Sequence, residues 1–250
     1  ESLASEIHQV DNLRSPKTPD PLTLAMEKMR QLRARISHHD SAERFTNLGV
    51  DVFLGDAHFT GANELEVAGQ KLTFKRCVIA TGARAAKPDV PGLEQVGYLT
   101  NETVFSLTEL PRRLIVIGGG PIGCELAQAF RRFGAEVHLV QRGSRLLPKD
   151  DPAAAEVIAW QFAREGIVIH LNAKAVRAQA AAGGKELTIS TSGQEQTLTA
   201  DAILVAIGRT PNTEGLGLEA AGVKYGPRGV EVDDFLRTAN RRIYAAGDII

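Results

Sequence analysis

Apolar positions recur along the chain in two rhythms. Leu22, Met26, Met29, Leu32 and Ile36 follow one another at steps of three and four, which predicts a helix. Residues 1–21 before it are polar and carry Pro16, Pro19 and Pro21, so a loosely structured lead-in is expected. Asp40 with Glu43 three residues later reads as a capping box opening a short helix that Gly49 ends. Past it the rhythm shortens to two. Residues 50–54 read as a short apolar strand, and Leu65 and Val67 alternate with polar neighbours up to a turn at Gly69-Gln70. Leu72 and Phe74 alternate back, and residues 77–83 read as a buried strand ending in small residues. Pro88, Pro91 and Gly92 mark a linker.

The organising stretch is 113–142. Leu114-Ile115-Val116-Ile117 runs into Gly118-x-Gly120-x-x-Gly123, and a helical pattern of Ile122, Leu126, Ala127 and Phe130 follows and stops at Gly134. A second apolar strand, 137–140, ends at Gln141 and Arg142. Strand, tight turn, helix and strand in this order form a dinucleotide-binding unit. Gly118 lets the chain turn sharply, Gly120 keeps side-chain atoms away from a pyrophosphate, and Gly123 lets the helix sit against the sheet. The phosphates would meet the free N–H groups and positive end of the helix. With 24 glycines in 250 residues the motif alone is weak, and its apolar strands and helix carry the reading.

Further on, Asp151 caps and Pro152 opens a helix expected to bury Ala154, Val157, Ile158 and Phe162, with Gly166 ending it. Residues 167–171 supply a third apolar strand of a parallel sheet. Residues 175–180 and 187–190, around Ala181-Ala182-Gly183-Gly184, read as a β excursion, and 202–207 returns to the sheet before Gly208-Arg209-Thr210-Pro211-Asn212. Residues 243–248 form a last strand ending in Asp248.

Composition narrows the classes. Basic residues number 29 and acidic 30, a net charge of -1, so no global field favours nucleic acid or an anionic membrane. No apolar run approaches the ~20 residues that span a bilayer, and no signal-peptide pattern opens the chain, so a soluble cytoplasmic protein is expected. The two cysteines, Cys77 and Cys124, are too far apart in sequence for a CxxC dithiol. The chain opens on Glu1 and closes on Ile249-Ile250, and is expected to be the central piece of a longer protein.

Other candidate chemistry divides into sharp and plain readings. Neighbours on a helix point about 100° apart, which sets His38-His39-Asp40 against metal chelation. Lys28, Arg30, Arg33 and Arg35 read as solvated helix charge. Thr81-Gly82 at a strand end suits either close ligand approach or a simple tight turn. Asp248 suits either sugar-like hydroxyls or a loop. Cys124, near a helix start, reads as packing behind the glycine turn rather than as an activated thiol.

In their order, Ala80-Thr81-Gly82, Gly118-Gly119-Gly120-Pro121-Ile122-Gly123-Cys124-Glu125, Gly208-Arg209-Thr210-Pro211-Asn212 and Ala246-Gly247-Asp248 resemble the pyridine nucleotide-disulfide oxidoreductases. Tyr98-Leu99-Thr100-Asn101-Glu102 points to mercuric-reductase-like members, with dihydrolipoamide dehydrogenase-like members beside them. The resemblance implies an α/β fold, with a Rossmann-like NAD(P)-binding domain inserted in a partial FAD-binding domain of the same kind. The expected division is 1–92 and 233–250 for the FAD part, 93–111 for a linker and 112–232 for the NAD(P) part.

It also implies roles. Thr81 and Gly82 would lie beside FAD, Asp248 would bind its ribityl chain, and Gly118 to Gly123 would hold the nicotinamide nucleotide's pyrophosphate. Glu125 would approach the nicotinamide, and Ala175 and Gly208 would line the same cofactor. No residue of the chain would make or break bonds in catalysis. The family's amino-terminal GxGxxG, its Cys-x4-Cys pair and its dimerisation domain with a His-Glu pair do not occur in these residues, so the chain alone is expected to be inactive. Where NAD enzymes place an acid at the end of the second strand stands Gln141, followed by Arg142, with Arg145 close by, which favours NADPH over NADH. The implied protein is a homodimer passing electrons to a disulfide or Hg(II), a small-molecule or metal-ion acceptor. A dithiol-free flavoprotein reductase and a dinucleotide-sensing module are the alternatives.

Overall fold

The computed structural model describes residues 21–250. Two compact units are present. Among the described residues, one contains 21–33 and Ala85–Gly208, the other Ala34–Arg84 and Arg209–Ile250. By contact, residues 209–232 thus group with the terminal strand.

The first unit is built on four parallel strands, in spatial order Ala202–Val205, Arg113–Ile117, Glu136–Val140 and Val168–His170. Their sequence explains the layering. In the strand Arg113–Ile117, Leu114 and Val116 face one core with Cys124, Ala127, Phe130 and Phe162 of the helices Pro121–Phe133 and Pro152–Glu165. Ile115 and Ile117 face the other, with Leu187, Ile189 and Leu198 of an antiparallel sheet. A strand buried on both faces needs apolar residues at every position, which is what LIVI supplies. The antiparallel sheet comprises Ala173–Ala181, Gly184–Thr191 and Gln194–Ala200. Its last strand was not legible in the sequence, since QEQTLTA buries only Leu198 and Ala200.

Helix ends follow their expected chemistry. Asp151 accepts a hydrogen bond from the Ala153 N–H at 2.8 Å, Pro152 occupies the first turn, and Gly134 and Gly166 close their helices in the left-handed conformation. Of the expected stripe of Pro152–Glu165, Phe162 is buried and Ile158 packs against the core, joined by Ala155 and Ala159, whereas Ala154 and Val157 lie one step round the helix and are exposed. Glu165 gathers the two helices at their far end, accepting from Gln128 (3.0 Å), Arg132 (2.8 Å) and Gln161 (2.7 Å).

In the second unit, His58–Gly61, Glu64–Val67 and Gln70–Thr73 form an antiparallel sheet, and Ile243–Ala245 pairs in parallel with Cys77–Ile79. Phe59, Ile79, Leu218, Val223, Val230, Ile243 and Ile249 form its core. Three expectations need correction. Residues 50–54 are exposed and pair with no strand among the described residues, so their apolar run forms no strand. The strand from Cys77 stops at Ile79 and leaves Val78 exposed. The short helix Ala42–Asn47 is capped by Ser41, whose side chain accepts from the Arg44 N–H, rather than by Asp40. The helix expected from Leu22 runs from Pro21 to Ser37, with Leu22 and Met26 buried and Leu32 and Ile36 exposed. The expected lead-in lies, but for Pro21, outside the described residues. No described helix is long and apolar enough to cross a membrane.

Candidate nucleotide-binding site

The sheet order places a topological switch point beside the glycine turn. From Arg113–Ile117 the chain moves to Glu136–Val140 on one side, whereas Ala202–Val205 returns on the other. Ligands of open α/β sheets bind at the carboxyl ends of the strands at such a point. The turn sits there. Gly118 has φ +115°, and a Cβ on it would lie 2.3 Å from the Ala206 carbonyl oxygen at the exit of the returning strand. A Cβ on Gly123 would lie 1.8 Å from the Gly118 carbonyl oxygen, so only glycine lets the helix begin so close to the strand end.

Gly120 is different. It has ordinary backbone angles (φ -80°, ψ -177°), and a Cβ there would meet nothing within 4 Å. Nothing in the fold requires glycine at this position, and the open space above it is where a pyrophosphate would approach. Pro121, Ile122 and Gly123 form the first turn of the helix, whose leading N–H groups have no partner within it. Pro121 has no N–H, which leaves those of Ile122 and Gly123 for an anion.

Gly119 is tied down from the side. Its N–H donates to Oε1 of Gln141 at 3.0 Å, and its carbonyl accepts from the Leu147 N–H at 2.7 Å. Nε2 of Gln141 donates to the Arg145 carbonyl at 3.2 Å. The Arg145 guanidinium donates to the carbonyls of Pro148 (2.8 Å) and Asp150 (2.9 Å) of its own loop. Arg142 is exposed.

Glu125 is exposed and lines a cleft of about 300 Å³ with Pro121, Cys124, Gln128, Leu147, Asp150, Ile158 and Phe162. Cys124 is buried there and its thiol is directed at the Gly119 carbonyl, 3.5 Å away. Burial, with the nearby charges of Glu125 and Asp150, pushes the thiol up to about 11, so it is a packing group rather than an activated nucleophile. Gly208 follows the returning strand with φ +128°. Ala175 lies in the second core, two residues past Ala173, whose N–H donates to the Gln141 carbonyl. On the parallel sheet, His138 Nδ1 and His170 Nε2 share a hydrogen bond of 2.9 Å that the sequence did not signal.

The second unit brings the other motifs together. The parallel pairing of Ile243–Ala245 with Cys77–Ile79 puts Ala80-Thr81-Gly82 and Ala246-Gly247-Asp248 at adjacent carboxyl ends. Asn212 stitches the first of these. Its amide donates to the Thr81 carbonyl at 2.9 Å, its N–H donates to the Gly82 carbonyl at 2.9 Å, and its own carbonyl accepts from the Thr81 hydroxyl at 3.1 Å. Arg209 is ion-paired with Asp248 and donates to the Ala83 carbonyl at 2.7 Å. Gly208-Arg209-Thr210-Pro211-Asn212 thus contributes a bracket that holds Thr81-Gly82 and Asp248, a function its sequence did not disclose. Among the described residues no group of three or more His, Cys, Asp or Glu is placed to hold a metal ion.

A parallel sheet ordered around a glycine turn at the switch point, with an unobstructed helix start, defines a dinucleotide-binding protein. The family model for pyridine nucleotide-disulphide oxidoreductases matches residues 7–250, and the chain belongs to that family. It is 40% identical over 212 residues to a mercuric reductase of Bacillus cereus, covering 83% of this chain and 34% of the relative. It is 38% identical over 208 residues to a dihydrolipoyl dehydrogenase of Bacillus subtilis (strain 168), covering 80% of this chain and 44% of the relative. Among solved structures it is similar to the Cu(II) complex of the HOCl-induced flavoprotein disulfide reductase RclA from Escherichia coli. The TM-score is 0.83 with 28% identity, over 99% of this chain and 54% of that one. The chain therefore spans well under half the length of these curated relatives.

Proposed function

We propose that this chain is the nicotinamide-nucleotide portion and part of the flavin portion of an FAD-dependent reductase that uses NADPH and passes electrons to a disulfide or Hg(II). The observation that carries the nucleotide reading is the contrast among the three glycines. Gly118 and Gly123 are required by close backbone approach, whereas a Cβ on Gly120 would meet only the open space that this reading assigns to the pyrophosphate. When bound, NADPH supplies a hydride and FAD accepts it.

The chain's own residues bind and orient. The N–H groups of Ile122 and Gly123 and the helix dipole hold the pyrophosphate. Arg142 takes the 2′-phosphate, for which a guanidinium is suited and a carboxylate is not. Glu125 faces the nicotinamide end, with Ala175 and Gly208 lining the same cofactor. Thr81 and Gly82 lie along the flavin, and Asp248 accepts hydrogen bonds from its ribityl hydroxyls. Orientation of two bound rings is the catalytic contribution these residues would make.

The test uses the protein made from its complete reading frame and loaded with FAD. It should oxidise NADPH when a disulfide or Hg(II) is supplied, whereas NADPH oxidation that needs neither, with oxygen or a quinone as acceptor, would replace this reading with a dithiol-free reductase. In the intact protein a homodimer in the cytoplasm is the expected state, and the isolated chain should not turn over.

A further inference from the structure

The residue at the end of the second strand stands where NAD-binding proteins present an acid to the adenosine ribose. Here both ends of that side chain face inward. Oε1 of Gln141 accepts from the Gly119 N–H at 3.0 Å, and Nε2 donates to the Arg145 carbonyl at 3.2 Å. Its backbone is held too, the N–H donating to the His170 carbonyl at 2.8 Å and the carbonyl accepting from Ala173 at 3.0 Å. A Cβ on Gly119 would come 3.1 Å from the Gln141 Cβ and 2.8 Å from Cδ2 of Leu146, and one on Gly143 would come 3.1 Å from Nε2. The amide is therefore enclosed between two glycines that leave it room.

We infer that Gln141 is a positioning residue, an amide bridge that presets the pyrophosphate-binding turn and the loop carrying Arg142, rather than a direct reader of the adenosine ribose. Gly119 offers an N–H and Arg145 a carbonyl, so the bridging group must accept at one end and donate at the other. An amide does both, a carboxylate only accepts, and a thioether of the same length cannot donate and accepts only weakly. The bridge holds the peptide before Gly119 and the Leu147 N–H holds the one after it, so together they fix the direction from which Gly120 and the helix start are presented. The same arrangement divides the arginines. Arg145 closes its own loop through Pro148 and Asp150, which leaves Arg142 as the cation available to a 2′-phosphate. The inference rests on the nucleotide reading of the site proposed above.

The two roles differ in what they do to selectivity. A direct reader changes the ratio of NADPH to NADH affinity. A bridge acts on the pyrophosphate turn common to both, so Gln141→Met should weaken NADPH and NADH by the same factor, on the order of 10-fold, and leave their ratio unchanged. Arg142→Ala in the same 250-residue chain should weaken NADPH alone. Calorimetric titration of wild type and both variants with each nucleotide reads this. Hydrogen exchange at the Gly119 amide, followed by NMR without nucleotide, reads the bridge directly, and exchange there should accelerate in Gln141→Met while that of core amides such as Ile115 is unchanged. Gln141→Met that shifts the ratio of affinities, or leaves both affinities and Gly119 exchange at wild-type values, overturns the inference. Wild type binding neither nucleotide sinks the nucleotide reading itself, and Gly119 exchange then still decides whether the bridge exists.

Discussion

Adding one methyl group to either of two glycines three positions apart should have opposite consequences. At Gly123 a Cβ would come 1.8 Å from the Gly118 carbonyl oxygen, where ordinary contact begins at 3.4 Å. The helix Pro121–Phe133 and the end of the strand Arg113–Ile117 would have to separate by most of that shortfall. Neither can move freely, since Cys124, Ala127 and Phe130 pack directly on Leu114 and Val116. Overpacking of a formed core costs about 1–3 kcal/mol, and the upper end applies because the atom met is backbone. With a urea dependence of about 2 kcal/mol per molar, Gly123→Ala should lower the denaturation midpoint by roughly 1.5 M. At Gly120 a Cβ meets open space and φ is -80°, so Gly120→Ala should cost only what alanine costs at a helix N-cap, under about 1 kcal/mol, and lower that midpoint by less than about 0.5 M. The methyl would instead occupy the place of the pyrophosphate, and NADPH affinity should fall by at least about tenfold. Urea denaturation followed by circular dichroism, paired with NADPH titration of each variant, separates the two effects. A stable Gly123→Ala, or a Gly120→Ala that unfolds early or keeps its affinity, would refute this assignment of roles.

Other side chains give independent tests. Cys124, its thiol pushed up to about 11, should carry roughly one thiolate in a thousand at pH 8 and resist a thiol reagent until the chain unfolds, so prompt native-state labelling would contradict its packing role. Burial holds the imidazoles of His138 and His170 below their usual range, and the unfolded chain therefore takes up more protons as pH falls through about 6.5. Stability contributed by the pair should be fully present above that pH and be lost below it as the folded imidazoles titrate. His170→Gln should flatten this part of a melting-temperature profile between pH 5 and 7, and an unchanged slope would exclude the pair as its source. Burial opposes the charge of Glu165, but its bonds to Arg132, Gln161 and Gln128 outweigh it and hold the carboxyl below the usual range. Glu165→Ala should cost about 1–3 kcal/mol in urea denaturation, and a loss under 0.5 kcal/mol would show that the cluster does not join the helices.

Those tests follow the line between what the residues disclosed and what they did not. The strand Arg113–Ile117, the glycine turn and the helix behind it were legible because their pattern is local. Four apolar residues, three spaced glycines and a 3.6-residue stripe leave few other arrangements. The polar strand Gln194–Ala200 was not legible, because it is an edge strand of a three-stranded sheet and buries only two side chains. Residues 50–54 misled for the opposite reason. An apolar run becomes a strand only when another strand pairs with it, and the sequence does not say whether one does. The site divides in the same way. Glycine spacing announced the pyrophosphate turn, but the inward fold of Gln141 depends on Gly119 and Arg145, which are 22 residues before it and four after it. Likewise the bracket made by Arg209 and Asn212 requires parallel pairing between strands more than 160 residues apart, a fact of topology that no short motif contains.

The central claim is that a nicotinamide dinucleotide lies across the turn from Gly118 to Gly123 with its adenosine end toward Arg142. Backbone NMR of the 250-residue chain titrated with NADPH tests it most directly. Saturable shifts concentrated at the amides of Gly120, Ile122 and Gly123, together with Arg142, are the result expected. Shifts that fail to saturate, or that saturate at residues away from this turn, would contradict it.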